Sequence, residues 1–278
     1  MSEDRGDAGF DRTVEGRFAQ RVVFNVPGRG NPKLRHIIER VNSDDDLYAL
    51  WLAANVNAVE RLGMTDHGPV HVKIVMNIAD KLYRLLADHG VEAGVIRNYG
   101  LSRDDAEVVV VLAALLHDVG MSVHRSDHEA FSLFIAEPKV RELLADLYDG
   151  PTATIIRSEV LHAIIAHRSG GRPLTLEAGI VRVADALDMA KGRSRIPFTA
   201  GSMSIHSISA AAIEAVHIEN GSDRPVLVRI DLSNSAGIFQ LDQLFREKLA
   251  GSGLEGYIDL EVNLVGEAEK RLVESYRL

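Results

Sequence analysis

Apolar positions along this chain follow two rhythms. From about residue 32 to 195 they recur at helical spacing, and beyond that alternating runs are mixed with helical ones. Pro32 opens the stretch NPKLRHIIERVN, and Ser43 or Asp44 can cap the next helix, DDDLYALWLAANVNAVERLG, which is expected to stop at Gly63. VHVKIVMNIADKLYRLLADHG is strongly amphipathic and ends at Gly90. DDAEVVVVLAALLHDVG is apolar almost all round, as a helix enclosed by others would be, and Gly120 ends it. Ser126 and Glu129 fit a capping box for DHEAFSLFIAE, a helix expected to stop before Pro138. Further helices are expected near 139–149, 154–168 and 174–191.

The remaining pattern frames this helical body. Residues 1–20 read as a polar tail and RVVFNVP (21–27) as a possible short strand ended by Pro27. After residue 196, VHIEN and VLVRIDL flank a turn as two strands, GIFQLDQLFREKLAGSG reads as a helix, YIDLEVNLV as a strand and EAEKRLVESYRL as a terminal helix. The expected fold class is mainly α: an all-helical domain over 32–195, preceded by a 1–31 tail and followed by a smaller α+β domain over 196–278.

Composition narrows the function. The 278 residues are 46 % apolar and 26 % charged, enough for a large self-supporting core. Cysteine is absent, which excludes disulfides, thiolate metal sites and a Cys nucleophile; a metal here must be held by His, Asp or Glu. A net charge of −9 disfavours duplex nucleic acid as a partner. No apolar window approaches the ~18 residues of a membrane span, and the polar start lacks a signal-peptide pattern, so a cytoplasmic protein with no membrane partner is expected.

Six of the 11 histidines lie between residues 67 and 128. His71 shares a helix face with Val75, Ile78 and Leu82, so its side chain is expected inside, either as a hydrogen-bonded core histidine or as a ligand. His117 and Asp118 end the most apolar helix. A carboxylate there is costly to bury without a compensating cation, and the negative end of the helix adds to that cost. Nothing basic follows before Arg125, so Asp118 either faces solvent or binds a cation. Asp185 lies among apolar residues in AGIVRVADALDMAKG, where Arg182 is a rival partner; Asp188, one turn on, reads as a ligand neighbour or an exposed charge.

A helical His, then a His-Asp pair 46 residues on, then a distant Asp resembles the HD-domain superfamily, and LLHDVG and IVRVADALD look like its signature segments. The resemblance covers about 67–195 and points to a prokaryotic branch with an extra C-terminal α+β domain. It implies an all-helical fold holding one or two divalent metals (Mn, Fe, Co, Zn or Mg), with His71, His117, Asp118 and Asp185 as ligands. Some branches hold a second metal with two more histidines between the pair and the last Asp; His124, His128, His162 and His167 lie there, and with HRSGG resembling the His-x-x-Gly stretch of a diadenosine-polyphosphate-cleaving branch, His128 and His167 are the favoured ligands. Neither the Gly-Tyr-Pro run of the cyclic-dinucleotide branch nor the His-Pro-Pro stretch of the dNTP branch is present.

The implied activity is metal-dependent hydrolysis of a nucleotide or other small phosphoester by attack of a metal-bound water, with Asp118 orienting the water and His67 as general acid. Lys73, Arg125, Arg168, Arg172, Arg193 and Arg195 are the candidate phosphate contacts. A nucleotide-binding sensor that keeps the metal site, or a di-iron oxygenase, is the alternative. The sheet-bearing C-terminal segment carries no chemical motif, and packing, cleft closure or homo-oligomer formation is expected of it.

Overall fold

The computed structural model describes residues 12–25, 30–189, 212–265 and 275–277. As the patterning predicts, the chain is mainly α with a small α+β region. α1 (Val14–Ala19) is capped by Thr13, α2 (Pro32–Ser43) by Asn31 with Pro32 in its first turn, and α3 (Asp45–Asn55) by Asp44. A π-helical turn, Val56–Arg61, extends α3 to the left-handed Gly63. α4 (Pro69–Asp88), α5 (Gly94–Tyr99), α6 (Arg103–Leu116), α7 (His128–Leu143), α8 (Gly150–Ala166) and α9 (Leu176–Leu187) follow. α6 is the axis of this body. Ser102 and Asp105 close a capping box at its start, and every residue from Asp105 to Leu116 is buried.

β1 (Ile213–Asn220) pairs antiparallel with β2 (Val226–Leu232), β2 pairs parallel with β3 (Ile258–Leu264), and β3 pairs antiparallel with β4 (Ser275–Arg277). The crossover between β2 and β3 contains α10 (Gly237–Gln240) and α11 (Arg246–Leu249), joined by a π-helical turn, Leu241–Phe245. Alternation puts Val226, Val228, Ile230 and Leu232 in a core continuous with the helical body. The two parts dock where α9 meets the chain after α11: a Cβ on Gly179 would lie 2.3 Å from Ser252 O, so only glycine lets the backbones approach this closely.

Several local expectations are corrected. Part of the expected tail, 14–19, is helical. Residues 21–25 form no strand; the Asn42 carboxamide takes the role of a strand neighbour, accepting from Phe24 N at 2.9 Å and donating to Phe24 O at 2.8 Å. The Ser126–Glu129 capping box is not formed, because α7 is entered through Asp127 in the left-handed region with no side-chain cap. α7 runs through Pro138 because Pro138 and Phe134 lie on its exposed face, where water can serve the carbonyl that proline leaves without a donor. The expected terminal helix ends instead in β4, which continues the sheet at the edge of β3; residues 266–274 lie outside the described residues. Among the described residues no helix is long and apolar enough to cross a membrane.

Candidate metal centre

The ends of five helices deliver imidazoles and carboxylates to one buried point. His71 sits in the first turn of α4, His117 caps the C-terminus of α6 with Asp118 directly after it, His128 opens α7 and His167 caps α8. Asp185 comes from the last turn of α9. The turn after α6 is shaped by Gly120, whose hypothetical Cβ would fall 2.0 Å from His128 O, so glycine lets α7 start against the His-Asp pair. Ser132 locks this contact: its hydroxyl donates to His117 O at 2.7 Å and accepts from Gly120 N at 2.9 Å.

Asp118 is the centre of the cluster. Its Oδ2 lies 3.3 Å from His71 Nε2 and 3.4 Å from His117 Nε2. Its Oδ1 lies 3.1 Å from His128 Nε2 and 3.6 Å from His167 Nε2. Asp185 Oδ1 adds to the first group, 3.7 Å from His71 Nε2 and 3.8 Å from His117 Nε2. Donor atoms each about 2.0–2.2 Å from a common cation sit roughly 3–3.6 Å from one another. Two triads, His71–His117–Asp118 and Asp118–His128–His167, are therefore spaced to hold a metal ion each, with Asp118 shared.

The outward nitrogens set the tautomers. His71 Nδ1 is 2.6 Å from Asp188 Oδ2, His117 Nδ1 is 2.8 Å from Ala114 O and His167 Nδ1 is 2.6 Å from Ile164 O. An Nδ1–H donated to each acceptor leaves the Nε2 lone pair facing inward, as a metal ligand needs. His128 Nδ1 lies 3.0 Å from Arg125 O, with the Arg125 guanidinium 2.8 Å away.

The electrostatics favour a bound cation. Burial opposes ionisation of Asp118, but the surrounding imidazoles of His117, His128, His167 and His71 outweigh it and hold the carboxyl well below its usual range. Asp185 is held down in the same sense, against burial, by Lys248 and His117. Burial lowers the His167 pKa and keeps that ring neutral, whereas at His128 the effect of burial is outweighed by Asp118, which raises it. No Lys or Arg among the described residues pairs with Asp118. With nitrogen and oxygen donors only, the residues fit a borderline or hard dication.

The remaining candidates are placed unevenly. His67 is buried beside the cluster, its ring centroid 5.4 Å from that of His71 and its Nδ1 2.7 Å from Thr65 O. Lys73 is two residues past His71, about 200° round the helix and so on another face. Arg125 lies against His128, and Arg168 and Arg172 are exposed around the loop after His167; among the described residues no contact ties either guanidinium to the cluster. Arg193 and Arg195 lie outside the described residues. His124 accepts from Ser126 N and His162 from Leu174 N, both away from the centre. Arg182 does not pair with Asp185; it donates to the carbonyls of Arg168, Gly171, Glu247 and Lys248.

One neighbour of the site was left open by sequence and another was not singled out at all. Asp188 orients His71, and the pattern left it undecided between ligand neighbour and exposed charge. Lys248, on α11, donates to His167 O at 2.5 Å and lies 3.4 Å from Asp185 Oδ2. The segment around it reads as a surface helix, so no sequence signal marks it.

Residues 70–190 match the model of the HD domain. An uncharacterized protein of Methanocaldococcus jannaschii is 39 % identical over 246 residues, covering 88 % of this chain and 93 % of that one. Ribonuclease Y of Acholeplasma laidlawii is 24 % identical over 258 residues and that of Thermoanaerobacter pseudethanolicus 28 % over 197. The chain spans 46 % and 35 % of the length of these two ribonucleases, so the likeness covers only part of each. The matched segment starts one residue before His71 and ends just past Asp188, enclosing both triads. By this match, and by the near full-length likeness to the archaeal protein, the chain belongs to the HD-domain family, whose members are generally metal-dependent hydrolases.

Proposed function

We propose that this protein hydrolyses the phosphoester bond of a nucleotide or other small phosphorylated molecule at a centre of two divalent metals. The observation that carries this is the division of Asp118: each carboxylate oxygen faces a separate pair of inward-turned imidazoles. Divalent metals there would supply Lewis acidity toward a phosphoryl oxygen and a lowered pKa for coordinated water. The chain's residues do the rest. His71, His117, Asp118 and Asp185 hold one position, and His128, His167 and the other oxygen of Asp118 hold the second. Asp118 also orients the attacking water. His67, held by Thr65 O through Nδ1, is the proton donor to the leaving oxygen.

A second reading, cleavage of phosphodiesters in RNA, is favoured by the likeness to the two ribonucleases Y. The net charge of −9 weighs against a long polyanion and toward a small substrate. The test is phosphate release from nucleotides, cyclic nucleotides and generic phosphoesters, beside cleavage of a labelled oligoribonucleotide, with Mn or Co added and bound metal counted. Asp118→Ala and His117→Ala should lose on the order of 10³-fold or more in rate, about 4 kcal/mol of barrier. Wild-type rates in either variant would sink the proposal. Stoichiometric metal without turnover of any substrate would favour a nucleotide-binding sensor, and an iron optical signal without phosphate release would favour an oxygenase.

A further inference from the structure

The centre is closed on most sides. The side chains of His71 and His117 are 0 % exposed, His167 3 %, Asp118 5 % and His128 6 %. Beside these five, Asp185 at 18 % and Lys248 at 20 % are more open to solvent. One of them comes from the helical body and the other from the C-terminal segment.

The ammonium of Lys248 is fixed rather than trailing in solvent. It donates to His167 O at 2.5 Å and lies 3.4 Å from Asp185 Oδ2. An ammonium carries three donors, and its acceptors among the described residues take two of them. The helix that carries it is fastened to the loop after His167 by Arg182, which is only 3 % exposed. This guanidinium donates to Lys248 O at 2.9 Å and Glu247 O at 3.2 Å on one side, and to Arg168 O at 2.9 Å and Gly171 O at 2.7 Å on the other. Ser169 Oγ adds a 2.6 Å bond to Glu247 Oε1. A buried guanidinium spending its donors on four carbonyls sets the position of the neighbouring lysine closely.

We propose that Lys248 binds a non-bridging phosphoryl oxygen of the substrate, so that the C-terminal segment completes the active centre. This rests on the phosphohydrolase reading above. Asp185 directs Oδ1 to the triad of His71 and His117 and Oδ2 to the lysine. Once a cation satisfies that carboxylate, the charge of Lys248 is available to an incoming anion. A compact ammonium on a flexible stem is a common phosphate contact. Of the sequence-predicted cations in the described residues, Arg125 touches the centre, through His128 Nδ1, while Lys248 reaches it through Asp185.

The experiment titrates the Mn-loaded full chain with inorganic phosphate by calorimetry, for the wild type and for Lys248→Met, Lys248→Gln and Lys248→Arg, with bound Mn counted in each. Loss of a charge-assisted hydrogen bond should weaken phosphate roughly ten- to a hundredfold in the Met and Gln variants. Mn content should be unchanged and Arg should recover most of the loss. Equal phosphate affinity in all four proteins overturns the inference while leaving the metal centre standing. So does loss of Mn or of folding in both the Met and Gln variants, which would make Lys248 a support for the ligands instead of a substrate contact. A wild type that takes up no Mn removes the phosphohydrolase reading, and the inference with it.

Discussion

α4 and α6 run antiparallel and bury acids at both ends of their contact, but they neutralise them differently. At one end His71 meets His117, and Asp118 is surrounded by imidazoles with no guanidinium or ammonium of the described residues paired to it. At the other, Asp80 (1 % exposed) and Glu107 (5 %) share Arg84, which donates from Nε to Asp80 Oδ2 at 3.0 Å and pairs with Glu107 through Nη2. Asn31 Nδ2 adds a 2.7 Å bond to Glu107 Oε2. An uncompensated buried carboxylate is expensive in either place. The Arg84 end carries its cation covalently and is a finished structural cluster. The Asp118 end is spaced to take its positive charge from a bound metal ion, with imidazole nitrogens turned toward that position. The comparison teaches that an acid enclosed by an apolar helix points to chemistry when no counter-charge meets it among the described residues, and to packing when one does.

The sharpest way to break this comparison is to remove the built-in cation. Arg84→Met leaves Asp80 and Glu107 buried with no guanidinium, and should cost about 2–4 kcal/mol of stability at pH 8. Urea unfolding measures the loss, while Mn stoichiometry of the folded variant should stay at the wild-type value. A loss below roughly 0.5 kcal/mol, the range of ordinary surface changes, would mean that the cluster does not depend on its guanidinium.

A smaller effect comes from protons at the same cluster. Burial pushes Glu107 up from 4.5 to about 7; the Asn31 hydrogen bond opposes this, neighbouring Asp80 adds to it and Arg84 opposes it. Protonated Glu107 also offers a donor to Asp80 Oδ1, a buried oxygen with no hydrogen-bond partner of its own. Because the folded state holds the proton more tightly than the unfolded chain, this stabilisation is complete below pH 4.5 and is lost as the pH rises through about 7. The change is on the order of 2 kcal/mol. Glu107→Gln mimics the protonated form, so its stability between pH 5 and 8 should be flatter than that of the wild type. Parallel curves of thermal stability against pH would assign the slope to other groups.

How much of this was visible in the sequence depends on whether the determining contact is local. The buried position of His71 follows from helical spacing, although Ile74, three residues on, is 38 % exposed. The conflict of Asp118 with its apolar helix was legible too, since it involves only neighbours in the chain. The division of its two oxygens was not, because it depends on where α7 and α8 start and end in space. Pro138 was misread as a terminator because periodicity does not show which face will meet water. Lys248 was invisible for a related reason: one of its acceptors is the main-chain oxygen of His167, 81 residues earlier, and a backbone acceptor leaves no trace in residue identity.

The gentlest test touches the metal end from outside its ligand set. Asp188 is 6 % exposed and accepts from His71 Nδ1 at 2.6 Å, so it fixes the ring's tautomer and adds negative charge behind the ligand. In Asp188→Asn the amide oxygen can still accept that proton, but the charge is gone and the amide can turn its NH2 toward the ring. Metal affinity should fall about tenfold, the lower end of what such supporting groups contribute. Arg84→Met should not change it. Mn titration of both variants separates the two ends of the helix pair: affinity moves only at one and chain stability mainly at the other. If Asp188→Asn binds Mn as tightly as the wild type but unfolds in less urea, its carboxylate belongs with Asp80 and Glu107 as a structural acid, and the division between the two clusters fails at that residue.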